Sequence, residues 1–279
     1  MLEYLPKVTL CTISRDRRPL LELLGDCVLA QDYPLNLLEW VILDDANDDG
    51  IHPDLDQVHR SGISLRYHCL PDHLSIGAKR NLCHCESTGE LLVLLDDDDY
   101  YPPTRVSAAV AALQTGDALV AGCDRIPLLL LPEGSLWMTP PFGPGHATAN
   151  TLAYWRRYLD EGHFFDPDAK DAEEASFLEN FSVPMQQLDP WKTLTCIGHG
   201  ANTVDKRLWI ARTGEHRFER MSVLGKQLYP PESFLDPYCV ALGIPRQMSA
   251  VEYTTQKPSM RRCWKVAVIT PYCSESSEV

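Results

Sequence analysis

"LLVLLDDDDYYPP", residues 91–103, sets five apolar residues directly ahead of four consecutive carboxylates and closes on two tyrosines and two prolines. An unbroken apolar run of this length fits a strand covered on both faces, as in parallel sheets flanked by helices. Four adjacent aspartates repel one another and have poor propensity for helix or strand, so local propensity does not account for them. A run of like charge where a buried strand stops points to neutralisation from outside the chain.

Outward from this strand the first half keeps one rhythm. "KVTLCTI" (7–13), "LEWVIL" (38–43) and "ISLRYHC" (63–69) read as strands. "LLELLGDCVLAQ" (20–31), "SIGAKRNLCHCEST" (75–88, stopped by Gly89) and "TRVSAAVAALQ" (104–114) read as helices. Right-handed crossovers between such strands give an α/β fold, a mostly parallel central sheet flanked by helices. Ligands of these sheets bind beyond the carboxyl ends of the strands. Three such ends carry polar groups: residues 12–17, the "DDANDDG" of 44–50, and the aspartate run.

After about residue 120 the rhythm changes. "DALVAGC", "SLWMTP" and "ATANTLAYW" read as strands, "PPFGPG" (140–145) as a loop, "AKDAEEASFLENF" (169–181) as a helix, and "KTLTCIGHGANT" (192–203) as a strand entering a polar loop. The final stretch, "WKVAVITPYCSESSEV" (264–279), repeats the pattern of the chain's opening. It reads either as a last edge strand with a frayed end or as the start of a second domain of the same kind.

The 279 residues are 44% hydrophobic and 23% charged, enough for a sizeable core. Twenty-five basic against 39 acidic residues leave a net charge of −14, with a pI near 5.0, which disfavours nucleic acid and anionic membranes as partners. No basic segment precedes a long apolar one, and no apolar run is long enough to span a bilayer, so the sequence predicts an intracellular, cytoplasmic chain. Ten cysteines in that setting read as reduced thiols, and the "CHC" at 83–85 as helix packing rather than a zinc site.

Carboxylates suit hard divalent cations such as Mg²⁺ or Mn²⁺. In an extended segment Asp96 and Asp98 project to the same side, so they can share one ion. Such an ion keeps waters and completes its shell with substrate phosphates.

"VTLCTISRDR", "QDYPLNLLEWVILDD" and "IGAKRNLCHCESTGELLVLLDDDDYYPP" together resemble the successive signatures of GT-A glycosyltransferases of the family 2 type. The matching positions are Thr12; Asp44 and Asp45; Arg80 and Asn81; Gly89 and Glu90; then Asp96, Asp98, Asp99 and Pro103, spanning roughly residues 7–115. The resemblance implies a Rossmann-like GT-A fold with a C-terminal acceptor-side elaboration, and a UDP- or GDP-linked nucleotide diphosphate sugar as donor. It implies an acceptor hydroxyl, expected on a glycan. On this reading residues 1–120 form the donor half and 121–262 the acceptor half of one domain, while 263–279 form a tail or the start of another.

Within that frame Thr12, Ser14, Arg15, Asp44, Asp45, Lys79, Arg80, Asp96 and Asp97 are the expected donor-binding groups, and Asp96 and Asp98 the metal ligands, with Asp98 foremost. Lys79 and Arg80 stand early in a helix, where a nearby anion relieves an unfavourable dipole. A late His199, beside Asn202, is the expected third ligand, with His146 a weaker candidate. Sugar transfer with inversion needs a base opposite the leaving group. On a helix over 169–181, Glu174 shares a face with Phe177, Leu178 and Phe181, while Glu173 is rotated toward the edge. Glu174 is therefore the leading base, with Glu173 and Asp171 as alternatives. Two rivals stand beside this reading: a nucleotidyl enzyme releasing pyrophosphate, disfavoured by the lack of a Gly-rich basic loop after the first strand, and a non-catalytic carbohydrate-binding or scaffolding module of a longer protein.

Overall fold

The structure is a computed structural model that describes residues 4–45, 52–131, 133–169, 171–221 and 230–244. The terminal stretch 263–279, with its possible second domain, lies outside the described residues. In chain order the first half contains β1 (Val8–Ser14), α1 (Arg18–Leu29), β2 (Leu38–Asp44), α2 (Asp56–Arg60), β3 (Ser64–Cys69), α3 (Ile76–Glu86), β4 (Leu91–Leu94) and α4 (Arg105–Thr115). After it come β5 (Val120–Gly122), β6 (Pro127–Leu130), β7 (Ser135–Met138), β8 (Ala153–Trp155), α5 (Arg156–Asp160), α6 (Glu174–Phe177), β9 (Met185–Gln187), β10 (Cys196–Gly198), α7 (Lys206–Thr213), β11 (Glu219–Arg220) and α8 (Glu232–Ala241).

The main sheet has seven strands in the order β3-β2-β1-β4-β8-β5-β9. β1, β2, β3 and β4 run parallel, β8 lies antiparallel between β4 and β5, and β9 is parallel to β5. The period of two in the strands sorts side chains into two layers. Leu10, Ile42 and Val93 face a core shared with Leu21 and Leu24 of α1 and Val106 and Val110 of α4. Cys11, Val41, Leu43 and Leu94 face a second core with Cys83 of α3, Phe165 and Phe177. Apolar runs without alternation are thus explained by cover on both faces.

Close approach fixes the start of β4. A Cβ on Gly89 would stand 2.5 Å from the Thr9 backbone nitrogen, so only glycine lets the chain pass there. Beside it, Glu39 is fully buried in β2 and accepts from the Thr9 and Thr88 hydroxyls at 2.5 and 2.9 Å. Burial opposes its ionisation, but the bonds from Thr9 and Thr88 hold its pKa below the usual carboxylate range.

A second sheet, β10-β6-β7-β11, carries the later segments. β10 runs parallel to β6, and a bridge between Tyr100 and Thr195 ties the chain after the aspartates to the approach to β10. Cys83 and Cys85 are outside any disulfide, the first buried and the second exposed. Among the described residues no helix is long and apolar enough to cross a membrane.

Candidate active site

One cavity of about 560 Å³ opens at the carboxyl ends of β1 and β4. Of the expected residues, Ser14, Arg15, Lys79, Arg80, Asp96, Asp97, Asp98, Asp171, Glu173 and Glu174 line it. Thr12 does not: it is fully buried, and its hydroxyl accepts from the Trp40 indole at 2.9 Å. The rim hydroxyl after β1 is instead Ser14, which donates to Asp97 at 2.7 Å.

Asp44 and Asp45 end β2 just behind the cavity. Asp44 accepts from the Tyr67 hydroxyl at 2.9 Å. Asp45 takes Lys79 Nζ on one oxygen at 2.9 Å and His73 and the Leu74 amide on the other. Burial opposes its charge, yet these donors pull its pKa down. Lys79 is thereby held against the rim as part of a buried pair.

The aspartate run is braced from several elements. The Asp96 amide donates to the Tyr101 hydroxyl at 2.7 Å, the Asp98 carbonyl accepts from Tyr238 of α8 at 2.8 Å, and Asp99 accepts from Asn150 and from the Ile197 amide in β10. Carboxylate oxygens of Asp96, Asp98 and Asp99 lie within 4.8 Å of one another. Three hard oxygen donors at that spacing fit a Mg²⁺- or Mn²⁺-sized ion. Burial opposes the charge of Asp98, but His199 and Arg17 carry its pKa down to about 2. Burial and the Asp98 charge push Asp97 up to about 7, and burial with Asp98 and Asp96 pushes Asp99 up to about 8. An acidic nest that strains against its own charge has room for a cation.

His199 sits behind this cluster rather than in the cavity lining. Its Nε2 is 3.5 Å from the Asp98 carboxylate and its Nδ1 accepts the Ala201 amide at 3.1 Å. In this placement the ring stands beside Asp98, and the third carboxylate grouped with Asp96 and Asp98 is Asp99. His146 stacks on Phe181 at 4.2 Å, away from the aspartates' hydrogen-bond network. Trp137, Trp155 and Trp191 pack against the main core.

The acid pair departs from a long amphipathic helix. Only Glu174–Phe177 is helical, Glu173 is its N-cap, and Ala172, Glu179, Asn180 and Phe181 all take positive φ. Phe181 therefore does not continue the Glu174 face. Glu173, expected toward the edge, is the more buried of the two, because Arg80 Nε draws its carboxylate in at 2.9 Å. The same guanidinium gives Nη2 to Asp96 at 2.9 Å, while its buried Nη1 has no partner in the structure. Arg80 thus spans from the aspartate cluster to the acid pair. Burial, then the Glu173 charge, pushes Glu174 up to about 8.

Sequence reasoning missed Arg17, which pairs with both Asp97 and Asp98, and Trp209 and Lys206 of α7 at the cavity wall. Pro19 in the first turn of α1 was the available signal for Arg17: it starts the helix at Arg18 and leaves Arg17 as N-cap at the mouth of the sheet. Arg15, the arginine chosen from sequence, lines the cavity but bonds the exposed His73 at 3.2 Å.

Residues 9–128 match the family model described as Glycosyl transferase family 2. The fold is similar to that of the mannosyltransferase PcManGT from Pyrobaculum calidifontis, solved in complex with GDP-Man and Mn²⁺, at TM-score 0.54 and 20% identity over 75% of this chain and 61% of that one. It is also similar to S. aureus TarS 1-349 in complex with UDP-GlcNAc, at TM-score 0.53 and 18% identity over 70% of this chain and 60% of that one. The chain spans about 60% of the length of these two structures. No curated protein sequence matches it. The strand order, the cavity at the strand ends and the matched segment agree: over residues 9–128 the chain is similar to the family 2 glycosyltransferases, and its fold is similar to that of the two solved transferases.

Proposed function

We propose that the protein is an inverting, metal-dependent glycosyltransferase that moves a sugar from a UDP- or GDP-linked donor to an acceptor hydroxyl on a glycan. The observation that carries this reading is Arg80: a single guanidinium bonds both the aspartate cluster and the acid pair across one cavity. On this reading donor chemistry and acceptor chemistry would lie within one side chain's reach. Two of the similar structures hold GDP-Man with Mn²⁺ and UDP-GlcNAc, which supports a nucleotide-sugar donor here.

Asp96, Asp98 and Asp99 would hold Mn²⁺ or Mg²⁺, which when bound supplies Lewis-acid charge to a diphosphate leaving group. Asp97, tied to Ser14, keeps the run in register with β1. Arg80 offers its free Nη1 to a donor oxygen, and Lys79 adds charge at the rim. Glu174 takes the proton of the attacking hydroxyl, since Glu173 is engaged by Arg80 and Asp171 is exposed. Residues 1–120 then act on the donor and 121–262 on the acceptor.

The direct test is donor hydrolysis, which needs no acceptor: UDP- and GDP-sugars are incubated with Mn²⁺, and nucleoside diphosphate release is followed. Slow release from one donor class, abolished by chelation, is expected. Release that is indifferent to metal contradicts metal dependence, and no release from any donor favours a non-catalytic module.

A further inference from the structure

Arg17 has no place in the roles assigned above, yet it bonds two of the four aspartates. Its Nη1 donates to Asp97 at 2.9 Å and to Asp98 Oδ2 at 2.8 Å, and its Nη2 donates to the Ala201 carbonyl at 2.7 Å. One side chain thus joins the β1–α1 turn, the end of β4 and the loop after β10. The turn that aims it is unusual, since the preceding Asp16 adopts φ +53°, a region a non-glycine residue rarely takes outside a constrained site.

We infer that Arg17 is a displaceable counter-cation: it neutralises Asp97 and Asp98 in the ligand-free protein, yields Asp98 to a divalent ion, and then pairs with the diphosphate that the ion accompanies. This inference rests on the reading of the aspartates as a metal–diphosphate site.

Three observations support it. Asp98 Oδ2 already accepts from both Arg17 and Asn202, at 2.8 and 3.1 Å. A divalent ion about 2.1 Å from that oxygen and a guanidinium nitrogen beside it would repel each other. The cation that moves must also be loosely held. The Arg17 side chain is 24% exposed, whereas Arg80 is 3% exposed and is locked between Asp96 and Glu173. The third contact of Arg17 is to Ala201, an exposed residue next to Gly200, around which there is open space. Finally, a guanidinium fork matches phosphate oxygens two at a time, so the group released by one anion is shaped for the next. Independently, Arg80, which lines the same cavity, keeps a buried Nη1 without a hydrogen-bond partner, an unmet donor beside the aspartates.

The test is a pair of affinities in Arg17→Gln, measured by titration with Mn²⁺ alone, then with UDP and with GDP at saturating Mn²⁺. Removing a competing charge should tighten Mn²⁺ about tenfold, and removing a phosphate partner should weaken the bound nucleotide about tenfold. Opposite signs separate this from a structural defect, which would weaken both. Arg157→Gln is the control: it removes an equal charge from an exposed side chain outside the cavity lining, and should leave Mn²⁺ affinity within about twofold. Unchanged or weaker Mn²⁺ binding in Arg17→Gln overturns the inference alone, as does nucleotide affinity that stays at the wild-type value. Failure of the wild type to bind Mn²⁺ or either nucleotide overturns the reading of the site and the inference with it.

Discussion

The two carboxylate groups of the cavity are held in opposite ways. The aspartates of 96–99 end a buried parallel strand and are fixed from four directions, by Ser14, Tyr101, Asn150 and Tyr238. The acid pair hangs from a single helical turn between residues of positive φ, and Arg80 ties it to the donor half through Glu173. A metal site needs ligands that stay in place as charge moves, and a strand end supplies that rigidity. A base that must meet varied acceptors can sit on irregular chain, provided something on the rigid side sets its distance. In this protein Arg80 sets it.

Four effects, read with three substitutions, sharpen this contrast. Glu174→Gln should lower the transfer rate by about 10³-fold, near 4 kcal/mol of barrier, while nucleotide affinity measured by titration stays within about twofold of wild type. Loss of both would assign Glu174 a structural role. Arg80→Gln strips the partner from two carboxylates at once, the half-buried Asp96 and the buried Glu173. It should reduce unfolding free energy by about 3 kcal/mol, read by denaturant titration, with Mn²⁺ recovering part of the loss.

The third effect is one of pH. The Glu174 carboxyl sits near 8 in the folded protein against an ordinary 4.5. The unfolded chain sheds this proton above about 4.5 and the folded chain keeps it until about 8, so the folded state binds more protons in that window and loses stability as pH rises. Relative to Glu174→Gln, the metal-free wild type should lose about 3 kcal/mol between pH 5 and pH 8, and the difference should level off above about pH 9. Asp97 and Asp99 are raised in both proteins and cancel. A flat difference would show that Glu174 is not held in a desolvated setting. Smallest is Tyr238→Phe, which removes the hydrogen bond to the Asp98 carbonyl and should cost about 1 kcal/mol by thermal unfolding.

The same contrast explains what was legible in the sequence. Parallel strands covered on both faces write themselves as continuous apolar runs, so β1, β2, β3 and β4 were found within a residue or two of their observed ends. Polar groups at those ends then converge because the fold makes them. Thr12 misses the cavity because it stands one pleat short of the rim, on the same face of β1 as Ser14, where the Trp40 indole bonds it. The expected helix over 169–181 failed for a different reason. Its apolar spacing is helical, but the tie from Arg80 and the left-handed residues that follow are tertiary, and no local pattern reports them. Asp99 was quoted as part of the motif but not as a ligand, since alternation sends it away from Asp96 and Asp98. The chain turns directly after β4, which brings its oxygen back within 4.8 Å of theirs.

The central claim, that the nest at the end of β4 binds a divalent ion together with a nucleoside diphosphate, is tested most directly by titrating UDP and GDP into wild type and Asp98→Asn, with Mn²⁺ and with chelator. Wild type should bind one of the two nucleotides at least about tenfold more tightly with Mn²⁺, and Asp98→Asn should show no such gain. Equal affinity in all four conditions would contradict it.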